Sequence, residues 1–126
     1  MKIILVIAVG GALGAVGRYF LMVGVGQWAG FGFPYGSMAV NIMGSFLLGA
    51  LLEIMALVWA PSEEMRMFLV VGILGAFTTF SSFSLDTVVL LQRKELGLVA
   101  LYVGGSVIIS VVGFLAGLGL VRQALT

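Results

Sequence analysis

The residues best suited to chemistry lie in residues 72–84, whose sequence GILGAFTTFSSFS combines hydroxyl groups, glycines and phenylalanines. Hydroxyl groups can donate hydrogen bonds to an anion, and a phenylalanine ring is electropositive at its edge. Phe80 and Phe83 are three residues apart, so they share one face of a helix. Such a pair is more often part of a core, but rings interleaved with hydroxyl donors would also suit the passage of an anion.

The same stretch contains the residues least able to sustain a helix. Thr78 and Thr79, followed by several serines, compete with the backbone for hydrogen bonds, and Gly75 lowers helix stability further. We therefore expect the helix to be broken near its middle, at residues 75–78. Backbone carbonyl groups freed by such a break can coordinate a small, hard cation.

Two other segments carry polar side chains at four-residue spacing, which places each set on one helix face. The sets are Ser37, Asn41 and Ser45, and Tyr102, Ser106 and Ser110. Asn41 has two readings: it joins helices by hydrogen bonding, or its amide donates to an anion. Serine in an apolar helix often bonds back to the carbonyl four residues earlier, so the second set is weaker evidence for a pathway.

Composition indicates what surrounds these groups. The chain has 126 residues, 62% of them hydrophobic and 9% charged, with a mean hydropathy of +1.27, which predicts an integral membrane protein with one domain spanning residues 1–126. No basic cluster exists that would bind nucleic acid. The chain has no cysteine and no histidine, which excludes disulfides, thiolate chemistry and the usual zinc or haem sites.

Four apolar segments are long enough to cross a membrane as helices: residues 3–25, 36–59, 67–91 and 96–120. Their uninterrupted apolar character excludes a membrane β-barrel, whose strands alternate in polarity. Ser62, followed by Glu63 and Glu64, is a typical N-cap for the third helix. The predicted fold is thus an all-α membrane protein with four transmembrane helices, the third of them broken in mid-membrane. Backbone and hydroxyl groups at that depth must be enclosed by protein or line an aqueous path.

The positive charges give no preferred orientation. Four spans place Lys2, Arg66 and Arg122 on one side, and Arg93, Lys94 and Arg18 on the other. An excess of Lys and Arg normally marks the cytoplasmic side, and here the count is equal. The balance either reflects the statistical nature of that rule or indicates a chain that inserts in both orientations and pairs with an inverted copy. Arg18 itself is an interfacial anchor or a vestibule charge that attracts anions.

Three motifs together resemble the Fluc or CrcB family of fluoride channels, and the resemblance covers the whole chain. They are GGALGAVGRY (residues 10–19), the N-x-x-G of Asn41 and Gly44, and GILGAFTTFSSFS (residues 72–84). The resemblance implies an antiparallel, dual-topology homodimer with two fluoride pores and a central structural Na⁺. It also implies passive fluoride efflux through the cytoplasmic (inner) membrane, by a multi-pass channel and not an enzyme.

The resemblance further implies residue roles. The Na⁺ ligands would be the backbone carbonyls of Gly75 and Thr78 from both subunits. The anion pathway would consist of Asn41, Phe80, Phe83, Ser81, Ser84, Ser110 and, at its end, Tyr102. Arg18 would lie near the vestibule. Which of Ser37, Ser45 and Ser106 contact the ion stays open.

Two rival functions make different demands on the sequence. A small dual-topology drug exporter needs a membrane-embedded carboxylate in its first span to exchange protons for cations, and the first span has Arg18 but no acid. A non-conducting membrane subunit needs its glycines and serines only for helix packing. That reading leaves Asn41, Phe80 and Phe83 without a role.

Overall fold

The computed structural model describes residues 1–126, all of whose secondary structure is helical. Its elements are α1 (Lys2–Ala29), α2 (Tyr35–Leu57), α3 (Glu63–Arg66), a π-helical segment (Met67–Leu74), α4 (Gly75–Phe77), α5 (Phe80–Gln92) and α6 (Leu96–Leu125). Four helical units are long and apolar enough to cross a membrane, with Glu63–Gln92 forming the third. The predicted all-α architecture with four membrane-crossing segments is confirmed.

The helices extend past the apolar runs that predicted them. The first continues to Ala29 and the last to Leu125, because polar residues such as Gln27 and Arg122 are compatible with a helix. α1 ends before Gly30, whose φ of 93° is readily adopted only by glycine. Ser62 accepts a hydrogen bond from the Met65 amide at 3.2 Å, which confirms the predicted N-cap.

Glycines allow the helices to approach closely. α2 packs most extensively on α6. Gly49 faces the Phe114 carbonyl there, and Gly117 faces the Phe46 carbonyl. A Cβ atom at either glycine would collide with the carbonyl oxygen that it faces. α1 approaches the π-helical segment in the same way through Gly14. In lipid, where apolar surfaces are not driven together by water, such backbone contact is a main source of helix association.

An ion pair joins the ends of α2 and α6. Glu53 is only 5% exposed, and its Oε1 accepts a hydrogen bond from Arg122 Nε at 2.8 Å. A buried carboxylate without a partner is strongly destabilising, so the pair gives the two helices a preferred register at this end.

Most of the apolar surface faces outward in the single chain. Only 14 of the 126 residues are buried, and the fully buried large side chains are Tyr102, Leu90 and Val40. For helices of this length and hydropathy, the outward faces are suited to lipid or to another membrane protein.

Candidate functional site

The third membrane-crossing unit is interrupted at two residues. Thr78 has φ −83° and ψ 157°, and Thr79 has φ −149° and ψ 115°, so both are extended between α4 and α5. Both threonine hydroxyls serve the adjoining helix ends. Thr78 Oγ1 donates to the Leu74 carbonyl at 3.2 Å, and Thr79 Oγ1 accepts from the Ser82 amide at 3.1 Å as the N-cap of α5.

Asn41 of α2 holds the interruption in place. The Thr79 amide donates to Asn41 Oδ1 at 2.7 Å, and Asn41 Nδ2 donates to the Thr79 carbonyl at 3.1 Å. Because the amide N–H can only donate, this pairing fixes which end of the Asn41 side chain is oxygen. Both main-chain polar groups of Thr79 are therefore satisfied at a point where the helix cannot satisfy them. One hydrogen of Nδ2 is left for another acceptor.

The interruption also changes the partners of two nearby carbonyls. In a helix, the Gly75 carbonyl would accept from the Thr79 amide, but that amide donates to Asn41. The Thr78 carbonyl would accept from the Ser82 amide, which instead donates to Thr79 Oγ1. These are the two carbonyls predicted as cation ligands, and neither has its usual helical donor. No cluster of acidic side chains accompanies them, so any cation here would rely on neutral oxygen atoms.

An open cleft of about 350 Å³ lies beside the interruption, between α2, the third unit and α6. Its polar lining residues are Asn41, Ser45, Thr78, Thr79, Ser106 and Ser110, and Phe80, Phe83 and Phe114 are its aromatic ones. The hydroxyl groups of Ser106 and Ser110 are buried and have no hydrogen-bond partner. No charged side chain lines the cleft. The cleft is thus neutral and contains unused hydrogen-bonding capacity.

A row of aromatic rings leads away from the cleft. The Phe80 and Phe83 ring centroids are 5.4 Å apart, and the Phe83 centroid lies 5.3 Å from that of Tyr102. Phe80 is 78% exposed in the single chain, whereas Tyr102 is fully buried. The Tyr102 hydroxyl donates to Asp86 Oδ2 at 3.1 Å. Phe33 meets the Tyr102 ring edge to face, with 5.6 Å between the ring centroids.

Other predicted site residues lie outside the cleft. Ser81 and Ser84 are exposed: Ser81 Oγ is 3.3 Å from Thr79 Oγ1, and Ser84 Oγ donates to the Phe80 carbonyl at 3.1 Å. Arg18 is half-buried in α1, and its side chain takes part in no hydrogen bond or ion pair. Their roles on an ion pathway stay predictions.

A second cavity of about 350 Å³ lies at the junction of α1, the loop after it, and α5. Ser37, Asp86 and Arg93 are its polar lining residues, together with Tyr19 and Tyr35, while Phe31 and Phe33 supply aromatic walls. Of the three serines left open by the sequence, Ser45 and Ser106 line the first cleft and Ser37 lines this cavity.

Sequence reasoning missed Thr79 and Asp86 as members of the site. The sequence indicates Thr79 only as a weak helix former, and its contact with Asn41 spans 38 positions that no periodicity connects. Asp86 stands out in the sequence only as an acid near the end of a span. Its partner Tyr102 lies 16 positions later on another helix, so their hydrogen bond becomes evident only once α5 and α6 are packed together.

Comparison with known proteins identifies the family. Residues 5–118 match the model of the family described as CrcB-like protein, Camphor Resistance (CrcB). Proteins named fluoride-specific ion channel FluC are similar over nearly the whole chain. One from Rhodospirillum centenum is 52% identical and the match covers 98% of both chains. One from Agrobacterium fabrum is 52% identical, covering 95% of this chain and 96% of its own. One from Nitrobacter winogradskyi is 47% identical over 94% of each.

These matches agree with the four apolar helices in assigning a multi-pass membrane protein. This chain therefore belongs to the CrcB-like, or FluC, family, which is a family of ion channels and not of enzymes.

Proposed function

We propose that this protein is a channel for passive fluoride movement across the cytoplasmic membrane. The observation that carries the proposal is the neutral cleft in which the buried hydroxyls of Ser106 and Ser110 have no partner. Leaving a buried hydroxyl without a hydrogen bond costs about 1–3 kcal/mol, so the site favours a ligand that forms hydrogen bonds. The remaining hydrogen of Asn41 Nδ2, which can only donate, favours a ligand that accepts them. The relatives' name, fluoride-specific ion channel, supports the identity of that ligand.

The chemistry of the lining explains the preference for a small anion. Fluoride holds its water strongly, so a pathway must replace that water with hydrogen-bond donors. The free Nδ2 hydrogen of Asn41, the two serine hydroxyls and the electropositive ring edges of Phe80 and Phe83 are such donors. No carboxylate lies in the cleft, so no group there is suited to proton coupling, and simple conduction down a gradient needs nothing further.

We also propose that two inverted copies of the chain form the working channel, with two pores. Phe80 is 78% exposed and the cleft is open, which suits a second copy closing it. The equal division of the six basic residues supports insertion in both orientations. In such a pair, each open cleft would be completed by the other subunit, and Ser81 and Ser84 would have a second surface to face.

We further propose that a Na⁺ ion binds where the interruptions of the two copies meet. The supporting observation is that the carbonyls of Gly75 and Thr78 lack their helical donors, and neutral carbonyl oxygen suits a hard cation. Bound there, the ion would supply positive charge in a medium of low dielectric, which favours anions nearby. The protein's part is to present the carbonyls, through the Asn41 and Thr79 contacts that keep the backbone extended.

Ion flux tests the proposed function. Purified protein in liposomes, with a potassium gradient and a potassium ionophore setting the potential, should release trapped fluoride, because the cleft offers donors to a small anion. Fluoride-selective and chloride-selective electrodes measure the two ions in parallel, with protein-free liposomes as the control. Chloride release at the fluoride rate, or release of neither ion, would contradict a fluoride channel.

Labelling of a single introduced cysteine tests dual topology. The chain has no cysteine, so Thr126→Cys gives one thiol at the end of α6. In sealed cell-derived vesicles, a membrane-impermeant maleimide should label about half of the molecules before permeabilisation, because no charge excess selects one orientation. Gly32→Cys at the opposite ends of the helices is the matched control and should give the same fraction. Complementary all-or-none labelling of the two positions would refute dual topology.

Thermal unfolding tests the cation site without relying on activity. Protein purified and dialysed into N-methylglucamine chloride should have a lower melting temperature than the same protein in an equal concentration of NaCl, because a ligand bound only by the folded state stabilises it. KCl and LiCl at the same ionic strength are the controls for a general salt effect. Equal melting temperatures in NaCl and in N-methylglucamine chloride would exclude a structural Na⁺ that exchanges with solvent.

A further inference from the structure

We propose that Arg93 is the charge that recruits anions to one mouth of the conduction pathway, and that the second cavity is that mouth. This inference rests on the proposed function, because it assigns a further residue to the same pathway. It starts from Tyr102, which lines neither cavity but contacts one lining residue of each. The Tyr102 ring contacts Phe83, which lines the first cleft, and Phe33, which lines the second cavity.

A hydrogen bond connects Tyr102 to the polar wall of the second cavity. The Tyr102 hydroxyl donates to Asp86, and Asp86 itself lines the second cavity together with Ser37. An anion that leaves the first cleft past Phe83 and Tyr102 therefore enters a space that has its own polar wall. It also meets the Asp86 carboxylate, whose negative charge opposes its passage. The mouth needs a positive charge to offset this repulsion.

Arg93 is the basic residue that lines the second cavity. It is seven positions after Asp86, about two helical turns or about 10 Å along α5, on the same helix face. Its position directly after the last residue of α5 places a cation at the negative end of that helix. One guanidinium nitrogen, Nη1, donates to the Gly32 carbonyl at 3.4 Å, and the remaining donors are free.

The arrangement gives Arg93 an orientation that other basic residues do not have. Its contact with Gly32 joins the end of α5 to the α1–α2 loop, and both residues line the second cavity. Lys94, which is exposed as Arg93 is, lines neither cavity, and Arg18 lines neither cavity. A fixed charge at a concave opening raises the local concentration of counter-ions and their rate of entry.

Salt-dependent flux tests this role. Fluoride flux is measured in liposomes for four proteins: wild type, Arg93→Gln, Arg93→Lys and the matched control Lys94→Gln. Each is measured at about 10 mM ionic strength, where the Debye length is about 30 Å, and at about 1 M, where it is about 3 Å. The added salt uses a bulky organic anion. Size-exclusion profiles establish that each variant keeps the wild-type oligomer.

At low ionic strength, we expect Arg93→Gln to reduce flux about three- to tenfold, and Arg93→Lys and Lys94→Gln to stay near the wild-type rate. At high ionic strength, all four proteins should converge, because screening removes the contribution of the charge.

Three results would overturn the inference while leaving the fluoride channel intact. Arg93→Gln conducting like Lys94→Gln at low salt would show that its charge has no special role. Equal slowing of Arg93→Gln and Arg93→Lys at both salt concentrations would identify Arg93 as an anchor of the loop through Gly32. The third result is that Arg93→Gln fails to assemble while Arg93→Lys assembles normally but conducts slowly. This would also identify Arg93 as an anchor of the loop. Absence of fluoride flux in wild type would instead overturn the proposed function itself.

Discussion

Two hydrogen bonds between the Asn41 side chain and the Thr79 main chain are the interaction on which the site depends. Without them, the Thr79 amide and carbonyl would lack partners in a segment apolar enough to cross a membrane, where each unsatisfied group costs several kcal/mol. With them, the chain can remain extended at Thr78 and Thr79. An asparagine side chain suits this task because its acceptor oxygen and donor nitrogen are spaced like those of a peptide group, with a second N–H to spare.

Several features of the site follow from that extended pair. α5 begins afresh at Phe80 with Thr79 as its cap, so Phe80 and Phe83 face the direction set by the new helix and not by α4.

The Gly75 and Thr78 carbonyls lose their helical donors, while Thr78 and Thr79 join the wall of the cleft. The packing of α2 on α6, with the Glu53–Arg122 ion pair at its end, places Asn41 in the same cleft as the unpartnered hydroxyls of Ser106 and Ser110.

The four helices could be predicted from the sequence because bilayer thickness requires apolar runs of a definite length. The weak helix formers predicted a break at residues 75–78, whereas the structure has Gly75–Phe77 as helix and extended residues at Thr78 and Thr79. The π-helical segment was not predictable, since its sequence MFLVVGIL is an ordinary apolar run. Nothing in its residue types calls for the wider turns.

The site was only partly predictable because its decisive contacts join distant positions. Spacing placed Asn41 on a polar helix face, but it could not show that Thr79 would be its partner. Four-residue spacing likewise grouped Tyr102 with Ser106 without indicating Asp86. Ser84 was predicted to line the anion pathway, but its hydroxyl donates to the Phe80 carbonyl, as serines in helices often do. Which face of α5 meets an ion depends on assembly, and helix periodicity does not contain that information.

We infer that Asn41 both holds the Thr79 backbone and offers a donor to the anion, and the variant Asn41→Asp tests both roles. Aspartate keeps an acceptor for the Thr79 amide but loses the donor to its carbonyl and adds negative charge to a neutral cleft. Fluoride flux in liposomes should fall about ten- to a hundredfold while the protein stays assembled, since a lost donor and an opposing charge together cost about 1.5–3 kcal/mol. Met43→Leu, on the exposed face of α2 and outside both cavities, should conduct within about twofold of wild type. A well-assembled Asn41→Asp protein that conducts fluoride at the wild-type rate would show that Asn41 has neither role.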